Sequence, residues 1–397
     1  MTTPQVYLKK GREQSVLRRH PWIFSGAIGR IEGSPANGDV VEVYGADGRW
    51  LARGTYSRRS QIAVRILTWD ADEAIDNAFW RHRLERAVAA RSALADDPAT
   101  TAYRLVHAES DGLPGLIVDR YADFLVVQFL TTGVEKQRGP ILDALSDLLS
   151  PRGIFERSDV EVREKEGLPL RTGRVRGKEP PHLVEVLENG HRFWVDLRSG
   201  QKTGFYLDQR ENRARLPAFC AGAEVLDGFA YTGAFAVYAV AGGASRVTLV
   251  EASGVALGMA RQNLSLNGVD IGQHEFVEGN LFRVLRRFWN EGRTFDVVVL
   301  DPPKFAPAVK DVERAARAYK DVNLLAFRLL RPGGVLFTTS CSGVVRPDLF
   351  QKIVFSAALD AGRDAQIIGY LHQAADHPVA LTFPEGAYLK GLICRVW

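Results

Sequence analysis

Four apolar runs in the second half of this 397-residue chain each stop at a side chain able to do chemistry. Val225-Leu226 ends at Asp227, Leu249-Val250 at Glu251, Val299-Leu300 at Asp301, and Leu336-Phe337 at Thr338-Thr339-Ser340-Cys341-Ser342. A carboxylate can hold a ribose or a base edge, or carry a proton. A thiol becomes a nucleophile once ionised. Four hydroxyls and one thiol closing an apolar strand suit the wall of an active site better than a core.

Two further stretches belong with them. Gly228-Phe229-Ala230-Tyr231-Thr232-Gly233 is a small-residue turn that lets a cofactor approach the backbone and the start of a helix. It is not the GxGxxG of dinucleotide enzymes, which disfavours NAD, while an acid about 20 residues on, Glu251, suits two ribose hydroxyls. Glu278-Gly279-Asn280 offers an amide that can read an adenine edge. Asp301-Pro302-Pro303-Lys304-Phe305 makes a stiff shelf with one acid at its start.

These positions become one site only if the strands lie side by side. The region 185–397 alternates strand and helix: EVLD, SRVTLVEA, EFVEG, FDVVVLDPP and GVLFTTS are separated by AFAVYAVAGG, GVALGMARQNLSLNG, NLFRVLRRFWN and a long helix through VNLLAFRLLR. Near-continuous apolar strands between helices predict a parallel sheet covered on both faces, with ligands at the carboxyl ends of its strands. In that topology Asp301 and Cys341 face one crevice.

Two smaller regions precede it. Residues 1–72 read as short strands of a small barrel: DVVEVY and RWLARGTY flank a Gly-Ala-Asp-Gly turn, and QIAVRIL alternates. Residues 73–184 read as a small α+β domain: a helix over NAFWRHRLERAVAARSALA, a hairpin GLIVDRY–FLVVQFL turning at Ala122-Asp123, a helix PILDALSDLL and a strand GIFERSD. The stretch 157–178, with 7 basic and 4 acidic residues, reads as an exposed loop or ribbon. Charge is uneven, with a local +6 over residues 1–68 against +2 over 185–397. Lys9, Lys10, Arg12, Arg18 and Arg19, with Trp22 and Phe24 close behind, pair cation with aromatic as nucleic-acid surfaces do.

The gross composition excludes several classes. Nothing approaches the roughly 20 apolar residues of a membrane span, and MTTPQVYLKKGREQ lacks the apolar core of a signal peptide, so the cytoplasm is the expected address. Cys220, Cys341 and Cys394 are too few and scattered for a disulfide framework. With the histidines they show no metal-ligand spacing, and no metal is required. Cys220 and Cys394 sit in apolar contexts and read as core filler.

KKGREQSVLRRHPWIFSGAI, RLVHAESDGLPGLIVDRY, KTGFYLDQR, VLDGFAYTGAF, DPPKF and TTSCS together resemble the RlmI-type family, the PUA-domain-containing, S-adenosylmethionine-dependent 23S ribosomal RNA cytosine-C5 methyltransferases, over essentially the whole chain. The resemblance implies an α/β, Rossmann-like class I methyltransferase domain behind a PUA barrel (1–72) and an α+β middle domain (73–184). It implies S-adenosyl-L-methionine as cofactor, held by Asp227, Phe229, Ala230, Tyr231, Thr232, Gly233, Glu251, Asn280 and Asp301, with Gln209 and Arg210 from KTGFYLDQR at the pocket. It implies Cys341 and Asp301 as catalytic residues, Pro302 and Lys304 beside the base, and Lys9, Lys10, Arg12, Arg18 and Arg19 on the RNA. Large-subunit ribosomal RNA is then the partner, without a membrane. Related proteins are often dimers, though no segment here identifies an interface. Family members often carry a bulkier residue or Cys at the positions of Gly228 and Ala230, and Asp at that of Asn280.

Carbon 5 of cytosine is too weak a nucleophile to take a methyl directly, and a thiolate added at carbon 6 makes it an enamine. Lys304 is the cation expected to favour that thiolate, and Asp301 the group on the N3/N4 edge. The base that removes the carbon 5 proton is not identified. Two rivals are an RNA base N-methyltransferase, in which an aromatic usually follows the prolines and no thiol is needed, and a non-catalytic RNA-binding assembly factor.

Overall fold

The computed structural model describes residues 3–397, and four sheets form where the sequence alternates or runs apolar. Two units organise them. The first comprises Met1–Val186, Val195–Leu207 and Asp376–Gly386. The second comprises Leu187–Trp194, Asp208–Ala375 and Ala387–Trp397.

In the first unit a six-stranded sheet runs in the order Trp22–Phe24, Ile62–Thr68, Trp50–Tyr56, Val40–Tyr44, Gln5–Leu8, Ile28–Glu32. Its two edge strands are joined by only Ser25–Ala27, so the sheet must curl to bring its edges together. Alternation places Val6, Leu8, Val41, Val43, Val64 and Ile66 inside. A second sheet has the order Arg171–Gly177, Gly153–Ser158, Phe124–Phe129, Leu116–Tyr121, Ala102–His107. Helices Asn77–Ala89 and Arg138–Leu149 cover it with Phe79, Trp80, Leu84, Ile141 and Leu145. The hairpin turns at Ala122, in the left-handed region at φ 52°. The stretch 157–178 is only partly the exposed ribbon expected of it. Arg171–Gly177 is an exposed edge strand, but helix Val162–Glu166 turns Arg163 and Glu166 inward, where they meet Glu135 at 2.8 Å and Arg65 at 2.9 Å.

The second unit holds the strands that end in chemistry. They are β1 (Glu224–Gly228), β2 (Arg246–Glu251), β3 (Glu275–Glu278), β4 (Phe295–Leu300), β5 (Leu330–Ser340), β6 (Ala365–His372) and β7 (Lys390–Val396). The sheet order is β3-β2-β1-β4-β5-β7-β6. β1 to β5 are parallel, as their apolar runs predict, while β7 is antiparallel to both neighbours. Leu226, Val250, Val298, Leu300 and Leu336 pack against Leu285, Phe288, Val322, Phe327 and Ile353 from the helices, all buried. The reversal at β1/β4 opens a crevice at the carboxyl ends, where such sheets hold ligands.

One buried ion pair braces the approach to β1. Two of the three Arg213 guanidinium nitrogens, Nε and Nη2, donate to Glu188, at 2.7 and 2.6 Å, and Tyr238 Oη donates to Glu188 Oε1 at 3.0 Å. Arg213 and Glu188 are 2% and 0% exposed as side chains, so removing one partner strands a charge without water. Glu188→Ala is expected to cost about 3–5 kcal/mol in thermal or denaturant unfolding. Glu188→Leu combined with Arg213→Leu is expected to recover most of that loss.

Candidate active site

Asp227 is the penultimate residue of β1 and is 1% exposed. Neither of its carboxylate oxygens has a hydrogen-bond partner of good geometry, and Thr232 Oγ1, five residues on, is likewise buried and unpartnered. Burial first, then the charge of Asp301, raises the Asp227 carboxyl to about 8, and the Ala236 amide offsets only a little of this. Phe229 and Tyr231 both adopt left-handed backbone, at φ 61° and 48°, and Gly233 follows at 76° before helix Ala234–Ala241. A Cβ on Gly233 would lie 2.8 Å from Ala260 Cβ, so only glycine fits this turn. The turn is pinned from β2: Glu251 Oε2 accepts from Tyr231 N and Oε1 from Ser253 N, both at 2.9 Å. Asn263 Nδ2 adds a bond to Thr232 O at 2.9 Å. The Phe229 ring packs with Phe282 and Phe305, with ring centres 6.4 and 6.2 Å away. Asn280, exposed after β3, caps helix Leu281–Asn290 through Arg283 N.

At the end of β4, Asp301 Oδ1 accepts from Gln209 Nε2 at 2.7 Å and from Thr339 Oγ1 at 2.6 Å. Burial raises its carboxyl to about 6, against the two hydrogen bonds that lower it. Gln209 is itself fixed, its Oε1 accepting from Asn212 Nδ2 at 2.6 Å. Arg210 is buried at the head of helix Arg210–Arg215, 3.8 Å from Glu211. Lys202–Leu207 belongs to the first unit and Asp208–Arg210 to the second.

The run Thr338-Thr339-Ser340-Cys341-Ser342 divides by burial. Both threonines and both serines are buried, and Cys341 is half-exposed. Tyr319 Oη meets Ser340 Oγ at 2.9 Å and Ser342 Oγ at 3.1 Å, so the hydroxyls hold the chain on either side of the thiol. Cys341 Sγ points to Pro302 O at 3.9 Å. The Pro302 ring is buried, while Pro303 and Lys304 are exposed. Asp301, Pro302, Thr339 and Cys341 thus stand together. Cys220 and Cys394 are buried apart from them, and desolvation pushes both thiols up to about 12.

One charged side chain beside this run escaped the sequence reading. Lys390 opens β7 directly opposite Ser340, is 8% exposed, and donates from Nζ to Ser342 O at 2.7 Å. The signal was a lone cation heading the otherwise apolar run Leu392-Ile393-Cys394. In the first unit Lys9, Lys10, Arg12, Arg18 and Arg19 are all exposed. Phe24 is exposed beside them, but Trp22 donates to Glu109 at 2.9 Å and packs on Phe383. Among the described residues no cluster of His, Cys, Asp and Glu could hold a metal, and no helix is long and apolar enough to cross a membrane.

Residues 169–392 match the model of an S-adenosylmethionine-dependent methyltransferase family, and residues 6–69 that of a PUA-like domain. The chain is 54% identical over 390 residues to a ribosomal RNA large subunit methyltransferase I of Aeromonas salmonicida, covering 98% of each. It is 50% identical to the protein of that name from Escherichia coli, covering 99% of each. A SAM-dependent methyltransferase structure from Streptococcus mutans, 22% identical, superimposes with a TM-score of 0.85 over 98% of this chain and 99% of that one. A methyltransferase crystallised with SAH gives 0.86 over the whole of both chains at 22% identity.

The unpartnered, buried Asp227 carboxylate and Thr232 hydroxyl beside a strained turn fit such a cofactor, whose methionine part carries an ammonium. Because Asp227 is protonated more readily folded than unfolded, its stabilising contribution is full below the ordinary carboxylate range and is lost progressively until pH passes about 8. Asp227→Asn is therefore expected to match wild type in Tm near pH 4 and to exceed it increasingly up to pH 8. It is also expected to weaken S-adenosylmethionine binding at least tenfold by calorimetry.

Proposed function

The chain belongs to the ribosomal RNA large subunit methyltransferase I family of S-adenosylmethionine-dependent enzymes, and from that premise we propose that it methylates carbon 5 of a cytosine in 23S ribosomal RNA through a transient bond from Cys341 to carbon 6. The observation that carries this reading is the contrast among three thiols. Cys341 alone is half-exposed, at the end of β5 against the Asp-Pro-Pro shelf, while the other two are buried and hard to ionise.

Bound S-adenosylmethionine supplies a methyl group on a positively charged sulfur. Asp227, the turn Phe229–Gly233, Glu251 and Asn280 would hold it, with Asp301, Gln209 and Arg210 at its edge. The target base, flipped out or taken from an open strand, enters the crevice over Pro302 and Lys304. The Cys341 thiolate adds to carbon 6, and the pair of the carbon 5–carbon 6 double bond moves to carbon 5. Asp301 stands to meet the N3/N4 edge: Oδ1 is occupied by Gln209 and Thr339, and no donor among the described residues reaches Oδ2. Once carbon 5 is methylated, loss of its proton lets the sulfur–carbon 6 bond break and restores the ring. In the first unit the exposed Lys9, Lys10, Arg12, Arg18 and Arg19 would hold RNA phosphates.

With unmodified ribosomal RNA and labelled cofactor, wild type is expected to form 5-methylcytidine. Cys341→Ala is expected to form none while binding cofactor normally. An active mutant, or an N-methylated product, would favour the exocyclic-amine reading; cofactor binding with no turnover by wild type would favour an assembly factor. Arg18→Ala with Arg19→Ala is expected to lower affinity for ribosomal RNA several-fold near 0.1 M salt, and to flatten the slope of log K against log salt by about 1–2.

A further inference from the structure

A lysine ammonium deprived of water is unfavourable unless an anion or several acceptors replace the solvent. Lys390 has neither in full. Its Nζ reaches one backbone carbonyl, Ser342 O at 2.7 Å, and among the described residues no carboxylate pairs with it. Its β7 position fixes where it lies. The backbone partner of Lys390 is Ser340 and the acceptor of its Nζ is Ser342, so the side chain brackets Cys341 from both chain neighbours. Such an uncompensated cation is a mark of functional sites rather than of cores.

We infer that Lys390 is the residue that holds Cys341 as a thiolate, its ammonium supplying from the neighbouring strand β7 the positive field that the nucleophile needs. The inference rests on the reading of Cys341 as nucleophile. Lys390 is a positioning residue, acting through the sulfur rather than on the base. The step is simple in its balance: the Cys341 S–H bond breaks, the proton leaves to solvent, and the electron pair stays on sulfur opposite the ammonium.

The surroundings of the pair agree. From the segment after β4 comes Lys304, from the helix Val312–Leu329 comes Tyr319, and from β6 comes His372, the cross-strand partner of Lys390. None of these is an anion at neutral pH. Among the described residues the one carboxyl that stands with Cys341 is Asp301 at the end of β4, whose Oδ1 is held by Gln209 and Thr339 and whose charge opposes the effect of the lysine. Burial first, with the Lys304 cation adding to it, lowers Lys390 to about 8, and Cys341 is the group that draws it back up. By reciprocity the cation lowers the thiol. Lys304 is exposed, where water and salt screen its field; Lys390 is not.

The test reads the thiol directly, without RNA. The rate of alkylation of Cys341 by iodoacetamide is followed against pH on the full chain, with the modified peptide identified by mass spectrometry. Wild type is expected to titrate below the ordinary cysteine value of about 8.5. Lys390→Met should raise the midpoint by one pH unit or more, making alkylation at pH 7 about tenfold slower. Lys390→Arg, which keeps the charge, should stay near wild type, and Lys304→Met should shift the midpoint by less than half as much. An unchanged midpoint in Lys390→Met overturns the inference, as does a shift reproduced in full by Lys304→Met. Should Lys390→Met fail to melt cooperatively, Lys390→Gln against Lys390→Arg gives the same comparison. A shifted thiol in an enzyme whose Cys341→Ala variant still methylates would sink the nucleophile and leave the Lys390 effect standing. An inactive Cys341→Ala with an unmoved thiol would do the reverse.

Discussion

The carboxyl edge of a parallel sheet gathers polar groups where water is scarce, and this constraint governs the second unit. Three ionisable side chains end up there with less solvation than they need: Asp227, Asp301 and Lys390. The protein compensates each to a different degree. Asp301 is given two donors on one oxygen, Lys390 a single carbonyl, and Asp227 nothing of good geometry. Glu251, by contrast, accepts one backbone bond on each oxygen in pinning the turn after β1, which leaves acceptor capacity on both. What remains unsatisfied is therefore distributed, with a carboxyl group at the end of β1 that burial keeps from ionising and a cation beside Cys341.

The rigid parts serve that distribution. Left-handed Phe229, Tyr231 and Gly233 can follow one another only because Glu251, Asn263 and the close packing on Ala260 hold them. The hydroxyls of Ser340 and Ser342 are tied to Tyr319, which leaves the chain few ways to move the sulfur between them. Local strain and buried polar contacts here have the same result, a crevice whose shape exists before any ligand arrives.

Much of this was legible in the residues. The five parallel strands follow from apolar runs too continuous for a half-exposed sheet, and the acids at their ends mark where each stops. The hairpin at Ala122-Asp123 and the helices over 77–89 and 138–149 follow from period alone. Other parts rest on interactions that periodicity does not carry. Helix Val162–Glu166 buries Arg163 and Glu166 because distant Glu135 and Arg65 neutralise them, so a charge-rich stretch looks exposed until its partners are known. Trp22 reads as a stacking surface, yet Glu109 and Phe383 claim its ring. Lys390 was missed for a related reason: its neighbour in space, Cys341, stands 49 residues earlier, across an antiparallel pairing that sequence order does not announce.

That pairing also has a temporal side. β7 is synthesised after β6 but lies between β5 and β6, so β6 cannot dock on the sheet until its successor has arrived. Until then the β5 edge stays open beside Cys341, and the lysine that faces it is absent. A nascent chain can thus complete its cofactor turn, built from β1 and β2, well before its thiol acquires a cationic neighbour. The surroundings of Cys341 are the last part of the crevice to be completed, because the strand that closes them is the last one in the chain order of this sheet.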